Sequence, residues 1–223
     1  MTTNDKTSFL LKSYGYLWLL YILFGLVIGI LSIWFPDIIN KDYEQTAILD
    51  MAENNPFQLF VLACIFAPIV EELMFRTLIK PSHSDLILFI CAWPVFIGAG
   101  YLPESIHWLL RLAFSGVLLF SAHYILKQLI PEEKTAYVRS KLSKYVLPVF
   151  IVTAVTFGLV HISNYVDGFT FNLALVILVI PQIIAGIMLG WVKLKTREIG
   201  WPMLLHFMNN LVPVSIIILG NAV

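Results

Sequence analysis

Charged residues are scarce in this sequence. Lys, Arg, Asp and Glu make up 13% of the 223 residues, whereas hydrophobic residues make up 59%. A soluble domain carries about 25% charged and about 45–50% apolar residues. This composition therefore excludes an ordinary soluble domain and, with a mean hydropathy of +0.86, is typical of an integral membrane protein. The net charge is zero, which argues against nucleic acid as a partner because such proteins need an excess of basic residues.

Cysteine is also rare. Cys64 and Cys91 both lie in apolar runs without the spacing of metal ligands, so we expect them to fill space in the core. The sequence has no His-Glu-x-x-His element, the helical signature of many zinc proteases. It also has no small-residue cleavage pattern after the first apolar run. We therefore expect that run to be a retained membrane helix and not a removed signal peptide.

Long apolar runs are abundant. Each has close to the roughly 20 residues that a helix needs to cross a bilayer, and backbone groups in lipid must be satisfied within their own segment. We predict an all-α polytopic transmembrane bundle with about seven crossings, folded as a single integral membrane domain over residues 1–223. The predicted crossings are Leu17–Phe35, Phe57–Ile79, Leu86–Tyr101, Trp108–Leu126, Tyr145–Ile162, Phe171–Val192 and Pro202–Leu219.

Loop charges predict the orientation of this bundle. One set of alternate segments carries the basic residues Lys6, Lys12, Lys80, Lys127, Lys134, Arg139, Lys141, Lys144, Lys193, Lys195 and Arg197. The opposite set carries Lys41, Arg111, Asp37, Asp42, Glu44, Asp50, Glu53, Glu104 and Asp167. The positive-inside rule places the N-terminus in the cytoplasm and the C-terminus outside. From the short architecture we expect the plasma membrane of a bacterium.

Two pairs of glycines have the spacing that lets membrane helices approach closely. These pairs are Gly25 with Gly29 and Gly186 with Gly190. Small residues four positions apart line one helix face and allow backbones to come together. We predict that both pairs serve packing within the bundle.

A charged cluster interrupts the second apolar run. Glu71, Glu72 and Arg76 stand where an ionised side chain costs about 2.5–3.5 kcal/mol at the centre of a bilayer, so they must face a cavity or a partner. Glu72 and Arg76 are four residues apart and can form an ion pair on one helix face. Glu71 points about 100° away and has no partner on its own helix. A purely structural ion network is the alternative interpretation of this cluster.

Two further apolar runs carry polar residues with catalytic potential. His161 stands one turn after Phe157, and His206 shares a helix face with Asn210. A carboxylate and an imidazole can together remove a proton from water, and His and Asn side chains can donate hydrogen bonds to a developing oxyanion. Alternatively, Glu71, His161 and His206 could ligate a divalent metal such as zinc. The residue types leave both chemistries open.

These elements resemble the signatures of the CPBP intramembrane proteases. That group includes the type II CAAX prenyl endopeptidases and Abi-like bacterial proteins linked to bacteriocin processing or self-immunity. The elements occur in the family's order as Glu71-Glu72-x-x-x-Arg76, Phe157-x-x-x-His161 and His206-x-x-x-Asn210. The resemblance implies a helical core with a polar intramembrane cavity. It also implies hydrolysis of a peptide bond in a membrane-embedded or lipid-associated substrate.

The resemblance further implies a role for each residue. Glu71 is expected to be the base that activates water, with assistance from His161. Glu72 and Arg76 are expected to set the electrostatics of the site, and the two named residues of the third element to stabilise the oxyanion. Members of the family are often labelled metalloproteases, but we favour a glutamate mechanism without a cofactor.

The chain departs from the family pattern between the first two elements. Residues 81–143 add a predicted pair of crossings, while the active site is expected on residues 57–80, 145–164 and 201–219. An even number of crossings preserves helix direction, so the second and fifth helices can still be antiparallel neighbours. Straight helices, however, would place Glu71 and His206 near the cytoplasm and His161 near the outside.

Two functions from other classes compete with the protease hypothesis. A non-catalytic membrane scaffold, or an immunity-like binding protein, would keep the polar cluster for packing alone. A solute transporter is a third hypothesis, although the sequence shows none of the internal repeats common in transporters. Replacing Glu71 separates the protease from the scaffold, because the scaffold needs no base at that position. A transporter should instead show solute-dependent flux in liposomes.

Overall fold

A computed structural model describes residues 1–36, 43–103, 105–166, 170 and 172–220. These ranges are helical and contain no strand, which confirms the predicted all-α class. Seven of their helices are long and apolar enough to cross a membrane, as predicted. Several residues used in the sequence analysis lie outside the described residues: Asp37, Lys41, Asp42, Glu104, Asp167 and Phe171.

The described chain contains seven membrane helices and two shorter ones, which follow the first and the fourth membrane helices. In chain order the helices are α1 (Thr3–Trp34), α2 (Thr46–Asn54), α3 (Pro56–Phe75), α4 (His83–Gly100), α5 (Trp108–Leu129), α6 (Glu132–Lys144), α7 (Val146–Val160), α8 (Leu173–Thr196) and α9 (Gly200–Gly220). A 3₁₀ turn, His161–Asn164, continues α7. The short helices α2 and α6 lie in segments that the sequence analysis treated as loops.

Helix α1 begins much earlier than predicted. It starts at Thr3 instead of Leu17, because Thr2 and Asp5 form a reciprocal capping box at its N-terminus. Its first turns are docked by Lys6, which donates a hydrogen bond to Glu198 in the connection between α8 and α9. This hydrogen bond holds the pKa of Glu198 below its ordinary value. The polar N-terminal segment is therefore part of the first helix.

The outside of the bundle is apolar. Large hydrophobic side chains such as Ile33, Phe120 and Leu173 are exposed on its surface, and α1 and α5 bury few of their residues. A soluble monomer rarely exposes such extensive apolar surface, whereas a bilayer covers it. Exposure and helix length together define a multi-pass membrane protein.

Close packing of α7 against α8 organises the core. A Cβ atom added at Gly186 would lie 2.8 Å from the carbonyl oxygen of Ala154, and one added at Gly158 would lie 2.9 Å from the backbone nitrogen of Ile183. The predicted packing role of Gly186 and Gly190 is confirmed. The same prediction is wrong for Gly25 and Gly29, because no described atom lies within 4 Å of a Cβ added at either position.

This contrast predicts a difference in stability between two glycine replacements. Gly186→Ala should lower the free energy of unfolding by about 1–3 kcal/mol, because the added methyl group meets rigid backbone. Gly25→Ala should change it by no more than about 0.5 kcal/mol, because its methyl group faces open space. Denaturant titration in mixed micelles measures both. Equal values would show that α7 and α8 do not approach as closely as described.

A buried ion pair joins α4 to α8 at the end that carries the basic segments. Lys193 is fully buried, and its Nζ lies 3.0 Å from Oδ2 of Asp85. Asp85 also forms the capping box of α4 with Ser82. The sequence pattern assigned Lys193 to a loop, but it belongs to α8 and is neutralised within the protein. It therefore contributes less to the orientation signal than a free loop lysine.

Candidate active site

Three helices bring the predicted site residues together. Helix α3 supplies Glu71, Glu72 and Arg76, the 3₁₀ turn after α7 supplies His161, and α9 supplies the two residues of the third element. The expected separation in depth between Glu71 and His161 is wrong, because their side chains lie 3.8 Å apart. Helix α7 has 15 residues and is about 22 Å long, shorter than a bilayer core of about 30 Å. The rings of Phe75 and Phe157 lie 5.6 Å apart, so the last turn of α7 lies beside the last turn of α3.

An ion pair is buried behind the site. Glu72 and Arg76 are both fully buried, and Arg76 Nε lies 3.2 Å from Glu72 Oε2, as the four-residue spacing predicted. The other carboxylate oxygen, Oε1, lies 2.9 Å from Nδ1 of His206. Because a carboxylate paired with arginine only accepts, the imidazole must donate its Nδ1 proton to Glu72. One carboxylate therefore fixes the orientation of both partners.

Phe157 forms the aromatic centre of this arrangement. The guanidinium carbon of Arg76 lies 4.3 Å from the Phe157 ring centroid, within the range of a cation–π interaction. The rings of His161 and His206 lie 4.8 and 5.6 Å from the same centroid. Within the described part of the chain, no Arg76 nitrogen has a well-aligned hydrogen bond. Charge and the aromatic faces therefore hold the guanidinium.

Glu71 faces both histidines across a gap. Its Oε2 atom lies 3.8 Å from Nε2 of His161 and 3.8 Å from Nε2 of His206. These separations exceed the about 2.7–3.2 Å of a direct hydrogen bond, and the Oε2 atom itself is buried. The Glu71 side chain is 22% exposed, whereas the Glu72 side chain is fully buried. The two adjacent carboxylates thus occupy different environments.

The backbone sets the tautomer of His161. Its Nδ1 lies 2.7 Å from the carbonyl oxygen of Phe157, one turn earlier. A carbonyl only accepts hydrogen bonds, so Nδ1 carries a proton. In the neutral imidazole this leaves Nε2 as an acceptor that faces Glu71. Glu71 and His161 can therefore both accept hydrogen bonds from a molecule placed between them.

An irregular turn in α3 positions Asn210. Residues Val61–Phe66 form a π-helical segment, in which the N–H of Ala67 donates to the carbonyl of Leu62. In the same register the carbonyl of Ala63 faces Pro68, which has no N–H. Asn210 supplies the missing donor, with Nδ2 at 2.8 Å from Ala63 O. The side chain therefore ties α9 to α3 beside the site.

The hydrogen bond from Asn210 to the Ala63 carbonyl predicts that substitutions at Asn210 and Pro68 have coupled effects on stability. Asn210→Ala should lower the free energy of unfolding by about 1–3 kcal/mol, because the Ala63 carbonyl loses its donor. In a Pro68→Ala background the new backbone N–H can satisfy that carbonyl, so the same substitution should cost less. Denaturant titration of the four proteins in mixed micelles tests the coupling. An identical cost in both backgrounds would contradict the assignment.

Two residues that were not predicted extend the polar network. Tyr21 of α1 donates a hydrogen bond to Asn209 Oδ1 at 3.0 Å, and Asn209 Nδ2 donates to Asn210 Oδ1 at 3.2 Å. Asn209 had a signal in the sequence, since it precedes Asn210 on an apolar helix. Tyr21 had none, because it is one aromatic residue among many in the first apolar run.

A cavity of about 550 Å³ opens in front of Glu71. Its wall includes His161, His206, Asn209 and Asn210 from the site. Helices α1, α2 and α8 complete it, with Trp18, Tyr21, Gln45, Ile48, Met51, Pro181, Gln182 and Ala185. Most of these side chains are apolar. The cavity is therefore largely hydrophobic, and Glu71 with the two histidines forms its polar end.

The donor set suits a metal ion in part. Glu71, His161 and His206 offer one carboxylate and two imidazole nitrogens, and both imidazoles donate Nδ1–H to an oxygen, as metal-binding histidines do. Ligand atoms on tetrahedral zinc are about 3.3–3.4 Å apart, whereas the Glu71 oxygen lies 3.8 Å from each nitrogen. No group of three potential ligands in the described ranges has metal-holding geometry. Binding would require these side chains to move together.

Helices, cavity and polar cluster define a polytopic membrane protein with a partly exposed carboxylate–imidazole site that lines a cavity. The profile of the family described as type II CAAX prenyl endopeptidase Rce1-like matches residues 53–212, more than half of the chain. The chain therefore belongs to the Rce1-like type II CAAX prenyl endopeptidase family, which indicates CAAX-type intramembrane protease activity. This match agrees with the CPBP resemblance. No curated protein and no solved structure matches the chain.

Proposed function

We propose that this protein is an intramembrane endopeptidase that hydrolyses a peptide bond of a membrane-associated substrate with water activated by Glu71 and His161. The observation that carries the proposal is the position of Glu71. Its side chain lines the cavity and is 22% exposed, and its buried Oε2 atom lies 3.8 Å from two imidazole nitrogens. A structural ion pair would close that gap, as Glu72 does with His206 at 2.9 Å.

In the proposed reaction a water molecule lies between Glu71 and His161. Both groups accept its hydrogen bonds, and Glu71 takes one proton as the water oxygen attacks the carbonyl carbon of the substrate. The C–N bond of the tetrahedral intermediate then breaks, and Glu71 returns the proton to the leaving amine. The products are one new carboxylate and one new amine.

The charge that develops on the carbonyl oxygen needs donors. His206 can supply Nε2–H as an imidazolium, since Glu72 holds its Nδ1 proton. The Nδ2 atom of Asn210 carries two hydrogens: one is donated to the Ala63 carbonyl, and the other can be donated to the oxyanion. Donors fixed before the reaction stabilise an oxyanion more effectively than mobile water does. Glu72 and Arg76 contribute indirectly, because they hold His206 in place.

A metal-dependent mechanism is the alternative for the same site. Glu71, His161 and His206 would then hold a divalent ion, which would supply Lewis-acid activation of water. Chelator treatment followed by metal analysis separates the two mechanisms. The glutamate mechanism predicts that the metal-free protein keeps its full rate, whereas loss of activity with recovery on zinc addition would favour the metal.

A comparison of cells tests the function while the substrate is still unidentified. Released peptides and membrane proteins are quantified in cells that carry the wild-type chain or Glu71→Gln at equal membrane levels. We expect specific fragments to disappear and their precursors to accumulate in the variant. Glu133→Gln serves as the matched control, because Glu133 is exposed on α6 far from the site. It should give the wild-type inventory.

The main rival is a non-catalytic scaffold or immunity-like protein. It predicts identical inventories for wild type and Glu71→Gln, together with a phenotype when the whole chain is deleted. That pair of results would reject the protease function. A prenylated substrate, as the family description names it, is one outcome of the inventory: its precursors would carry a C-terminal lipid.

A further inference from the structure

Helix α1 contributes side chains to the cavity although it lies outside the family match. The match covers residues 53–212, whereas Tyr21 stands near the middle of α1 and lines the cavity. The buried residues of α1 are Leu10, Ser13 and Leu17, which form one stripe because a helix repeats every 3.6 residues. Tyr21 continues this stripe, four residues after Leu17. The side of α1 that faces the bundle therefore ends at the site.

A series of three hydrogen bonds connects Tyr21 to the backbone of α3. The Nδ2 atom of Asn210 lies 2.8 Å from the carbonyl oxygen of Ala63, which only accepts, so the nitrogen end of the amide faces α3. The Oδ1 atom of Asn210 accepts from Asn209 Nδ2 at 3.2 Å. The Oδ1 atom of Asn209 then accepts from the hydroxyl of Tyr21 at 3.0 Å. Each bond has one possible direction, and Tyr21 is the first donor.

This series fixes the rotation of the Asn210 amide. Rotation about the Cβ–Cγ bond of asparagine has only broad minima, so an amide held at one end can turn, whereas an amide held at its oxygen and its nitrogen cannot. The second N–H of Asn210 therefore keeps one direction. Donors whose direction is fixed before the reaction stabilise a developing charge better than donors that must reorient. Asn209 holds the oxygen end of the amide, and Tyr21 holds Asn209.

Aromatic neighbours on α1 hold the ring of Tyr21. Trp18 lies 5.7 Å from it at an interplanar angle of 87°, and Tyr14 lies 6.2 Å from Trp18 at 86°, both favoured edge-to-face arrangements. Tyr14 also donates a hydrogen bond to α9, at 3.3 Å from the carbonyl oxygen of Met208. Two tyrosines of α1 thus bond to α9. Only the bond from Tyr21 ends on a side chain that leads to Asn210.

We propose, on the basis of the proposed protease function, that Tyr21 is a positioning residue for the cleavage reaction. Its hydroxyl fixes Asn209, Asn209 fixes the amide of Asn210, and Asn210 donates its second N–H to the oxyanion. Tyr21 itself transfers no proton to the substrate. Its hydroxyl group should therefore raise kcat and leave KM unchanged.

Nuclear magnetic resonance tests the hydrogen-bond series without catalysis. The protein is labelled with ¹⁵N-asparagine in micelles, and the side-chain signals of Asn209 and Asn210 are assigned by their loss in the Asn209→Ala and Asn210→Ala proteins. We expect Tyr21→Phe, which keeps the ring, to move both signals and to accelerate hydrogen exchange of the Asn210 amide. Tyr14→Phe is the matched control and should leave the Asn210 signal in place. An Asn210 signal that Tyr21→Phe does not change would overturn the proposal.

Kinetics test the consequence for cleavage. The probe is the precursor identified in the cellular comparison, and its cleavage in proteoliposomes gives kcat and KM. Tyr21→Phe should lower kcat about 3–10-fold, the effect of one neutral hydrogen bond, with KM unchanged, while Tyr14→Phe should match the wild type. In an Asn210→Ala background Tyr21→Phe should lower kcat no further, because the group that Tyr21 positions is absent.

Two kinetic results would contradict the positioning role. A raised KM with unchanged kcat would make Tyr21 a contact for the substrate only. A loss of about 10²-fold or more that persists in the Asn210→Ala background would place Tyr21 on the reacting atoms.

The two readouts also separate this proposal from the proposed function. If the wild-type protein cleaves no precursor while the Asn210 signal responds to Tyr21→Phe, the protease function is wrong and the role of Tyr21 in cleavage is wrong with it. If the wild-type protein cleaves its precursor and the Asn210 signal does not respond, only the role of Tyr21 is wrong.

Discussion

Arg76→Met should destabilise the protein by about 3–5 kcal/mol, because removing one partner of a buried ion pair leaves the other charge uncompensated. Arg76 and Glu72 are both fully buried, with 3.2 Å between Nε and Oε2. The hydrogen bond from His206 remains in the variant, but it does not replace the guanidinium charge. Denaturant titration in mixed micelles gives the free energy of unfolding of wild type and variant.

Two comparisons separate this effect from simple loss of a side chain. The double variant Glu72→Gln/Arg76→Met removes both charges and should recover a large part of the stability. Lys6→Met breaks an ion pair whose Glu198 side chain is 59% exposed, and should cost much less than loss of a buried pair because solvent screens the two charges. If Arg76→Met costs no more than Lys6→Met, the buried pair is not the electrostatic support of the site.

Glu71→Gln should lower the rate constant for peptide cleavage by about 10²–10⁴-fold, the usual contribution of a general base. The amide keeps the shape of the side chain but cannot accept the proton of the attacking water. Stability should change little, because Glu71 makes no direct hydrogen bond to either histidine at 3.8 Å. Single-turnover cleavage in proteoliposomes, with the substrate found in the cellular comparison, measures the rate constant.

The control for this prediction is Glu133→Gln, which removes a carboxylate from the exposed face of α6. Its rate constant should equal that of the wild type. Thermal unfolding of each purified protein establishes that any loss of cleavage is not a loss of fold. Wild-type cleavage by the Glu71→Gln protein would show that Glu71 is structural.

The fold class could be predicted because its causes are local in the sequence. Bilayer thickness fixes the length of each apolar run, and the seven predicted crossings correspond to seven described helices. Helix ends were harder to predict. The start of α1 depends on the Thr2–Asp5 capping box, which the sequence contains but which a search for apolar runs does not detect. The short helices α2 and α6 have little or mixed apolar character, and hydropathy alone misses them.

The candidate site was predictable where spacing along one helix determines a contact. The Glu72–Arg76 pair follows from a four-residue interval. The contacts between helices could not be derived in this way: the hydrogen bond of His206 to Glu72 and the position of Phe157 depend on how far α7 slides along α3. The interaction of Asn210 with Ala63 depends on a π-helical register that periodicity does not encode.

Oxygen labelling of the product tests most directly whether this polar cluster hydrolyses a peptide bond with water held by Glu71. Purified wild-type protein in liposomes is given its precursor in water enriched in ¹⁸O, and the fragments are analysed by mass spectrometry. Direct attack by water predicts one ¹⁸O atom in the new C-terminal carboxylate, and no fragment from the Glu71→Gln protein. An unlabelled C-terminus, or equal fragment formation by the two proteins, would contradict the account.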